Sequence, residues 1–107
     1  MALLARDATG GRWAFDVSGS FTTTRSGLRR ADTLWRAVGL AVVLQQVDDP
    51  IPLVLLTTEL PTRGSPQARS LAAVTGPGRP VLAALDLLDG ATRDRLAAWA
   101  ATGAQSA

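Results

Sequence analysis

The chain of 107 residues contains no cysteine, no histidine, no lysine and no tyrosine. Without cysteine there is no disulfide frame and no thiolate zinc site, and without histidine the commonest catalytic base and the commonest metal ligand are both missing. A serine-histidine-aspartate hydrolase is therefore excluded, since Ser18 and Ser65 have no imidazole to activate them. Aromatic residues are few, three tryptophans and two phenylalanines. Long apolar runs are absent too: the longest, from Ala37 to Leu44 with Gly39 included, falls far short of the roughly 20 residues a membrane span needs. The apolar start, MALLARDATGG, is too short for a signal peptide and is soon followed by Asp7, so the expectation is a cytoplasmic protein with no membrane partner.

What is present describes an ordinary globular chain. A hydrophobic fraction of 47% with 19% charged residues supports one folded domain over residues 1–107. All eleven basic residues are arginines, set against nine carboxylates, for a net charge of +2. The isoelectric point near 11 follows from the lack of groups that titrate between carboxylate and guanidinium, so it carries no message about nucleic acid. A net charge of +2 is a weak field, and phosphate contacts would need clustered arginines.

Hydrophobic periodicity orders the chain. Residues 12–18, RWAFDVS, alternate, with Trp13, Phe15 and Val17 on one side and Ala14, Asp16 and Ser18 on the other, which predicts a strand with one apolar face. Ala2 to Ala5 and the turn-rich segment 7–11 predict a hairpin with that strand, Asp7 serving in the turn. A helix is expected from about Leu28 to Gln46, its apolar arc made by Leu28, Ala31, Leu34, Trp35, Val38 and Val42, its second half apolar nearly all round. Residues 51–57, IPLVLLT, run without alternation, as a strand buried on both faces does. Ser65-Pro66 starts a short helix ending at a Gly76 cap; residues 80–85 form another buried strand, and a last helix covers about 92–101 with Leu96 and Trp99 inward. The three tryptophans read as core residues. The order predicts an α/β fold with a small mixed or mostly parallel sheet of about three to five strands and helices packed on it.

The glycine pairs Gly10-Gly11 and Gly76-Pro77-Gly78 read as turns: neither stands between a strand and a helix with the lysine that a phosphate loop requires. Asp16 has two readings, a polar residue on the outer side of a half-covered strand or a metal-binding carboxylate. Arg25, Arg29, Arg30 and Arg36 likewise read either as a solvated helix face or as a phosphate-contacting patch.

The segment Phe15-Asp16-Val17-Ser18-Gly19, followed by a helix, the strand Val54-Leu55-Leu56-Thr57-Thr58, a short helix and the step Leu88-Asp89-Gly90-Ala91-Thr92, resembles the restriction-endonuclease-like superfamily, written PD-(D/E)XK, and within it the Mrr-like branch. The resemblance covers roughly residues 12–100 and matches the second half of that pattern. It implies a DNA-associated domain in which Asp16 and the Val17 carbonyl bind Mg²⁺, Ser18 stands where the water-orienting lysine belongs, and Arg25, Arg29 and Arg30 steer phosphates. Arginine cannot replace the lysine as a proton acceptor, and the second acid of the pattern has no counterpart on the first strand. The expectation is thus a degenerate or incomplete nuclease, catalytic through Asp16 and Ser18 if active: either the carboxyl-terminal part of a longer nuclease, with the N-terminal part of the fold missing, or a small relative that has lost catalysis. The competing expectation is a non-catalytic α/β interaction module, a homodimer among its forms, suggested by the apolar second half of the helix ending at Gln46.

Overall fold

The computed structural model describes residues 2–18, 31–46 and 51–103. Strand β1 (Ala2–Arg6) and strand β2 (Arg12–Ser18) form the expected hairpin, pairing antiparallel with Leu4 opposite Ala14. Helix α1 (Ala31–Gln46) leads to strand β3 (Leu53–Thr57), helix α2 (Pro66–Ala73), strand β4 (Val81–Asp86) and helix α3 (Gly90–Thr102). The four strands lie side by side in chain order, and β2, β3 and β4 run parallel. The fold is α/β, with a mixed four-stranded sheet and three helices packed on it.

Each parallel step moves in the same direction across the sheet, and right-handed crossovers then bring both connecting helices to one face. That face holds Ala14, Leu53, Leu55 and Val81 against Leu34, Ala37 and Ala41 of α1 and Leu71 of α2. On the opposite face Trp13, Val54, Leu56, Ala83 and Leu85 meet Trp99 of α3. β3 is buried along its whole length, which is why its sequence shows no alternation. The outer side of β2 is covered as well: Ala14 is buried beneath α1, so the strand is not exposed along one face as its alternation suggests.

Local chemistry sets the element ends. In the hairpin turn, Asp7 Oδ1 accepts from the Thr9 amide (2.8 Å), the Thr9 hydroxyl (2.6 Å) and the Gly11 amide (2.9 Å), while Oδ2 accepts from the Trp13 indole nitrogen (2.7 Å). These bonds, led by those from the Thr9 and Trp13 side chains, hold the Asp7 carboxyl down to about 2 from an ordinary 3.8. Ser65 caps α2 by accepting from the Ala68 amide, with Pro66 in the first turn. The helix stops at Ala73 with Val74 as its cap, short of the expected Gly76. Gly76, at φ 140°, instead donates its amide to the Val81 carbonyl and turns the chain into β4. Arg79 then donates to the carbonyls of Ala72 and Ala73 at the end of α2 and of Thr75 just beyond it. Asp89 accepts from the Ala91 amide, so α3 begins at Gly90, two residues before the expected start.

Trp35 corrects the core assignment. It is 55% exposed, and Val42 (42%) and Val43 (62%) beside it are exposed to similar degrees. At 100° per residue, the arc centred on Leu34, Ala37 and Ala41 lies about a quarter turn from the arc expected from the large apolar residues. The physical reason is side-chain size: alanines at 37 and 41 let α1 lie close on the sheet, and a tryptophan at the same place would hold it away.

Candidate functional site

In open sheets with parallel strands, ligands bind beyond the carboxyl ends of those strands. Here the last register row of the sheet places Ser18, Thr57 and Asp86 side by side across β2, β3 and β4. Asp16 stands two residues earlier, in the row with Leu55 and Ala84, on the α1 side of the sheet and half-buried. The strand pattern thus brings one acid close to the carboxyl edge and a second acid onto it.

Both described side chains of the edge row shape the loops that follow. The Thr57 hydroxyl, fully buried, accepts from the Glu59 amide at 3.1 Å and donates to the Glu59 carbonyl at 3.3 Å. Asp86 Oδ1 accepts from the Leu88 amide at 2.8 Å, and the Thr92 hydroxyl donates to the Asp86 carbonyl at 2.6 Å. The Leu87 amide reaches the Thr57 carbonyl at 2.8 Å, tying the two loops together. The result is a hydrogen-bonded ledge built from short polar side chains.

Asp16 and Asp86 lie two strands and two residues apart, about 12 Å between Cα atoms from ordinary sheet spacings. A Mg²⁺ ion holds its ligands at about 2.1 Å, so a shared shell would require both side chains to be fully extended toward each other across that gap. Among the described residues, no group of three or more Asp, Glu, His or Cys side chains is placed to hold a metal ion. Of the Mg²⁺ site that the resemblance implies, Asp16 and Val17 lie among the described residues, and no such group gathers round them there. Arg25, Arg29 and Arg30 lie outside the described residues, as does the side chain of Ser18. Val17 is paired with Leu56 in the ladder, and its side chain packs on the α3 side with Trp13 and Phe15.

An apolar cleft among the described residues lies elsewhere. About 330 Å³ in volume, it opens on the α3 side, lined by Leu3, Asp7, Trp13, Phe15, Leu96 and Trp99. Asp16 faces the other way. The wall of this cleft is an aromatic run: Trp13 stacks on Trp99 with centroids 5.3 Å apart and on Phe15 at 6.3 Å, and Arg95 lies 5.0 Å above the Trp99 ring. A second exposed apolar feature is the outer stripe of α1, where Trp35, Gly39, Val42 and Val43 succeed one another at helical spacing. Among the described residues a Cβ at Gly39 would meet nothing within 4 Å, and interior helical glycine costs about 1 kcal/mol relative to alanine.

Comparison with protein-family models, with characterised proteins and with solved structures finds no match to this chain.

Sequence pattern alone singles out Asp16 and the strand end at Thr57 but not Asp86, because the apolar run of the last strand stops at Leu85 and the strand itself continues one residue further. A signal for it exists: Asp86 directly follows an unbroken apolar run and precedes Leu87-Leu88-Asp89, the position where an Asx turn stops a strand. Asp7 stands in the turn as expected, whereas its bond to the Trp13 indole becomes visible only in the three-dimensional hairpin.

Proposed function

We propose that the chain is a restriction-endonuclease-like domain that associates with DNA without completing metal-dependent cleavage by itself. The observation that carries this reading is the ledge at the carboxyl edge of the parallel strands, from which the chain runs on through Arg25, Arg29 and Arg30 to the amino end of α1. An edge of this kind is where α/β sheets receive ligands, and a helix start adds backbone N–H groups that favour phosphate oxygens. Three arginines in six residues give local positive charge that the overall +2 does not. Catalysis is assigned as incomplete because Ser18 occupies the position of the expected lysine and no metal-holding group of carboxylates gathers among the described residues. A plasmid-nicking assay with Mg²⁺ or Mn²⁺, beside retention on immobilised duplex DNA, tests both halves. DNA retention without nicking is expected. Nicking abolished by Asp16→Ala overturns the second half, and a protein that never binds DNA overturns the first.

A specific observation also favours a second reading, a protein-interaction module: the outward stripe of α1 is apolar and exposed among the described residues. The two readings are compatible, because the stripe points away from the sheet whereas the ledge belongs to its edge. Sedimentation over a concentration series tests this one; an ideal monomer throughout contradicts self-association.

A further inference from the structure

Resting on the interaction reading just given but on a different surface, we propose that two copies of this chain pair antiparallel through β1, with Leu4 on the two-fold axis, and that Leu3 of each copy enters the apolar cleft of the other. The two edges of the sheet differ. At β4 the Val81 amide donates to the Val74 carbonyl (3.0 Å) and the Val81 carbonyl accepts from the Gly76 amide (2.8 Å), so the segment after α2 covers the start of that edge. At β1 no such cover exists among the described residues. The Ala14 amide turns to the Pro52 carbonyl on the β3 side (2.9 Å), so Leu4, opposite Ala14, points its own amide and carbonyl out of the sheet, as do Ala2 and Arg6 by alternation. Only extended backbone presents donors and acceptors at matching intervals, which makes the occupant a strand. β1 has no proline and no bulge to deter one, and Leu3 (47%) and Leu4 (75%) are exposed on its two faces.

The register selects a second copy. About an axis at Leu4, the hydrogen-bonded pairs are Leu4 with Leu4, and Ala2 with Arg6 of the other copy, which uses every outward amide and carbonyl of the strand and keeps the two arginines apart. Leu3 then lies in a close, non-hydrogen-bonded pair with Ala5 of the other copy, on the α3 side of the sheet. Ala5 lines the cleft of about 330 Å³ together with Trp13, Phe15 and Leu96, and its methyl leaves room that a leucine from outside can take. Each copy thus supplies a side chain to the other's cleft. In added strands the main-chain bonds give affinity, and side chains in alternate pockets give selectivity.

Sedimentation equilibrium of the full chain up to about 1 mM, where even weak specific pairing is populated, tests the proposal. The parent should dimerise. Leu4→Lys should weaken the dimer at least tenfold, since two ammonium groups would meet on the axis, and mixing that variant with Leu4→Glu should restore association, a result confined to a residue that meets its own equivalent. Thermal melts of both Leu4 variants at low concentration should match the parent, because the side chain is exposed in the single chain. Leu3→Ala should weaken the dimer severalfold by withdrawing the side chain from the cleft. A parent that stays monomeric throughout overturns this proposal together with self-association. A dimer indifferent to Leu4→Lys and Leu3→Ala overturns only the β1 pairing and leaves association through another surface. A dimer lost in Leu4→Lys and not restored by Leu4→Glu overturns the register centred on Leu4.

Discussion

Replacing Trp99 by alanine should cost about 3 to 5 kcal/mol, the range for truncating a buried large aromatic side chain. The case for the upper part of that range comes from what the ring does. Trp99 is 5% exposed and is the largest side chain that α3 lays on the sheet, with Leu96 half-buried one turn earlier. Its ring stacks on Trp13 at 5.3 Å with 23° between planes, and the Arg95 guanidinium covers its outer side. Aromatic pairs add about 0.5 to 1.5 kcal/mol beyond burial, and an exposed cation over a ring adds about 0.5 to 1. A chain of this size has about 5 to 15 kcal/mol of stability in all, so the variant should lose a large part of it, with the melting temperature falling at least about 12 °C. Urea unfolding followed by far-ultraviolet circular dichroism gives the number, and Trp99→Phe should fall between parent and alanine variant. Trp35→Ala, run in parallel at dilute concentration, should change stability by no more than about 0.5 kcal/mol. Equal costs at the two positions, or a Trp99→Ala cost under about 1 kcal/mol, would refute the placement of α3 and of the outer face of α1.

Other outcomes follow from the turns and caps. Gly11→Ala would bring a Cβ within 2.7 Å of the Asp7 Oδ2 atom, which the Trp13 indole holds in place, so it should destabilise by about 1 to 3 kcal/mol in the same urea assay. The Asp7 carboxyl, lowered to about 2, contributes stability that is complete above its unfolded value near 3.8 and is lost as pH falls from about 4 towards 2; melts across that window should show a decline that Asp7→Asn flattens. Ser65→Ala removes the acceptor for the Ala68 amide and should cost about 1 kcal/mol, restored in large part by Ser65→Asp.

The elements whose local chemistry is self-contained are legible in the sequence. β3 announces burial on both faces through IPLVLLT, and α2 its start through Ser65-Pro66, because a cap or an unbroken apolar run acts within a few residues. The mixed sheet follows from a short turn joining β1 to β2 and long connections thereafter. The rotation of α1 is not legible: apolar residues line several of its sides, so its own pattern cannot choose a face, and the choice falls to the close fit of Ala37 and Ala41 against the sheet. The end of α2 is hidden because Gly76 resembles a cap while Arg79, three residues on, closes the carbonyls. At the candidate site, Asp16 stands out by its place in an alternating strand. Its distance from Asp86 depends on which strands are neighbours and in what register, and no local pattern encodes that.

The most direct test of the proposed DNA association is the salt dependence of binding to a short duplex, measured for the parent and for a variant carrying Arg25→Gln, Arg29→Gln and Arg30→Gln. If these arginines meet phosphates, the slope of log K against log salt should become shallower by about 2.7, close to 0.9 for each arginine replaced. A parent and variant with the same affinity and the same slope would contradict the account.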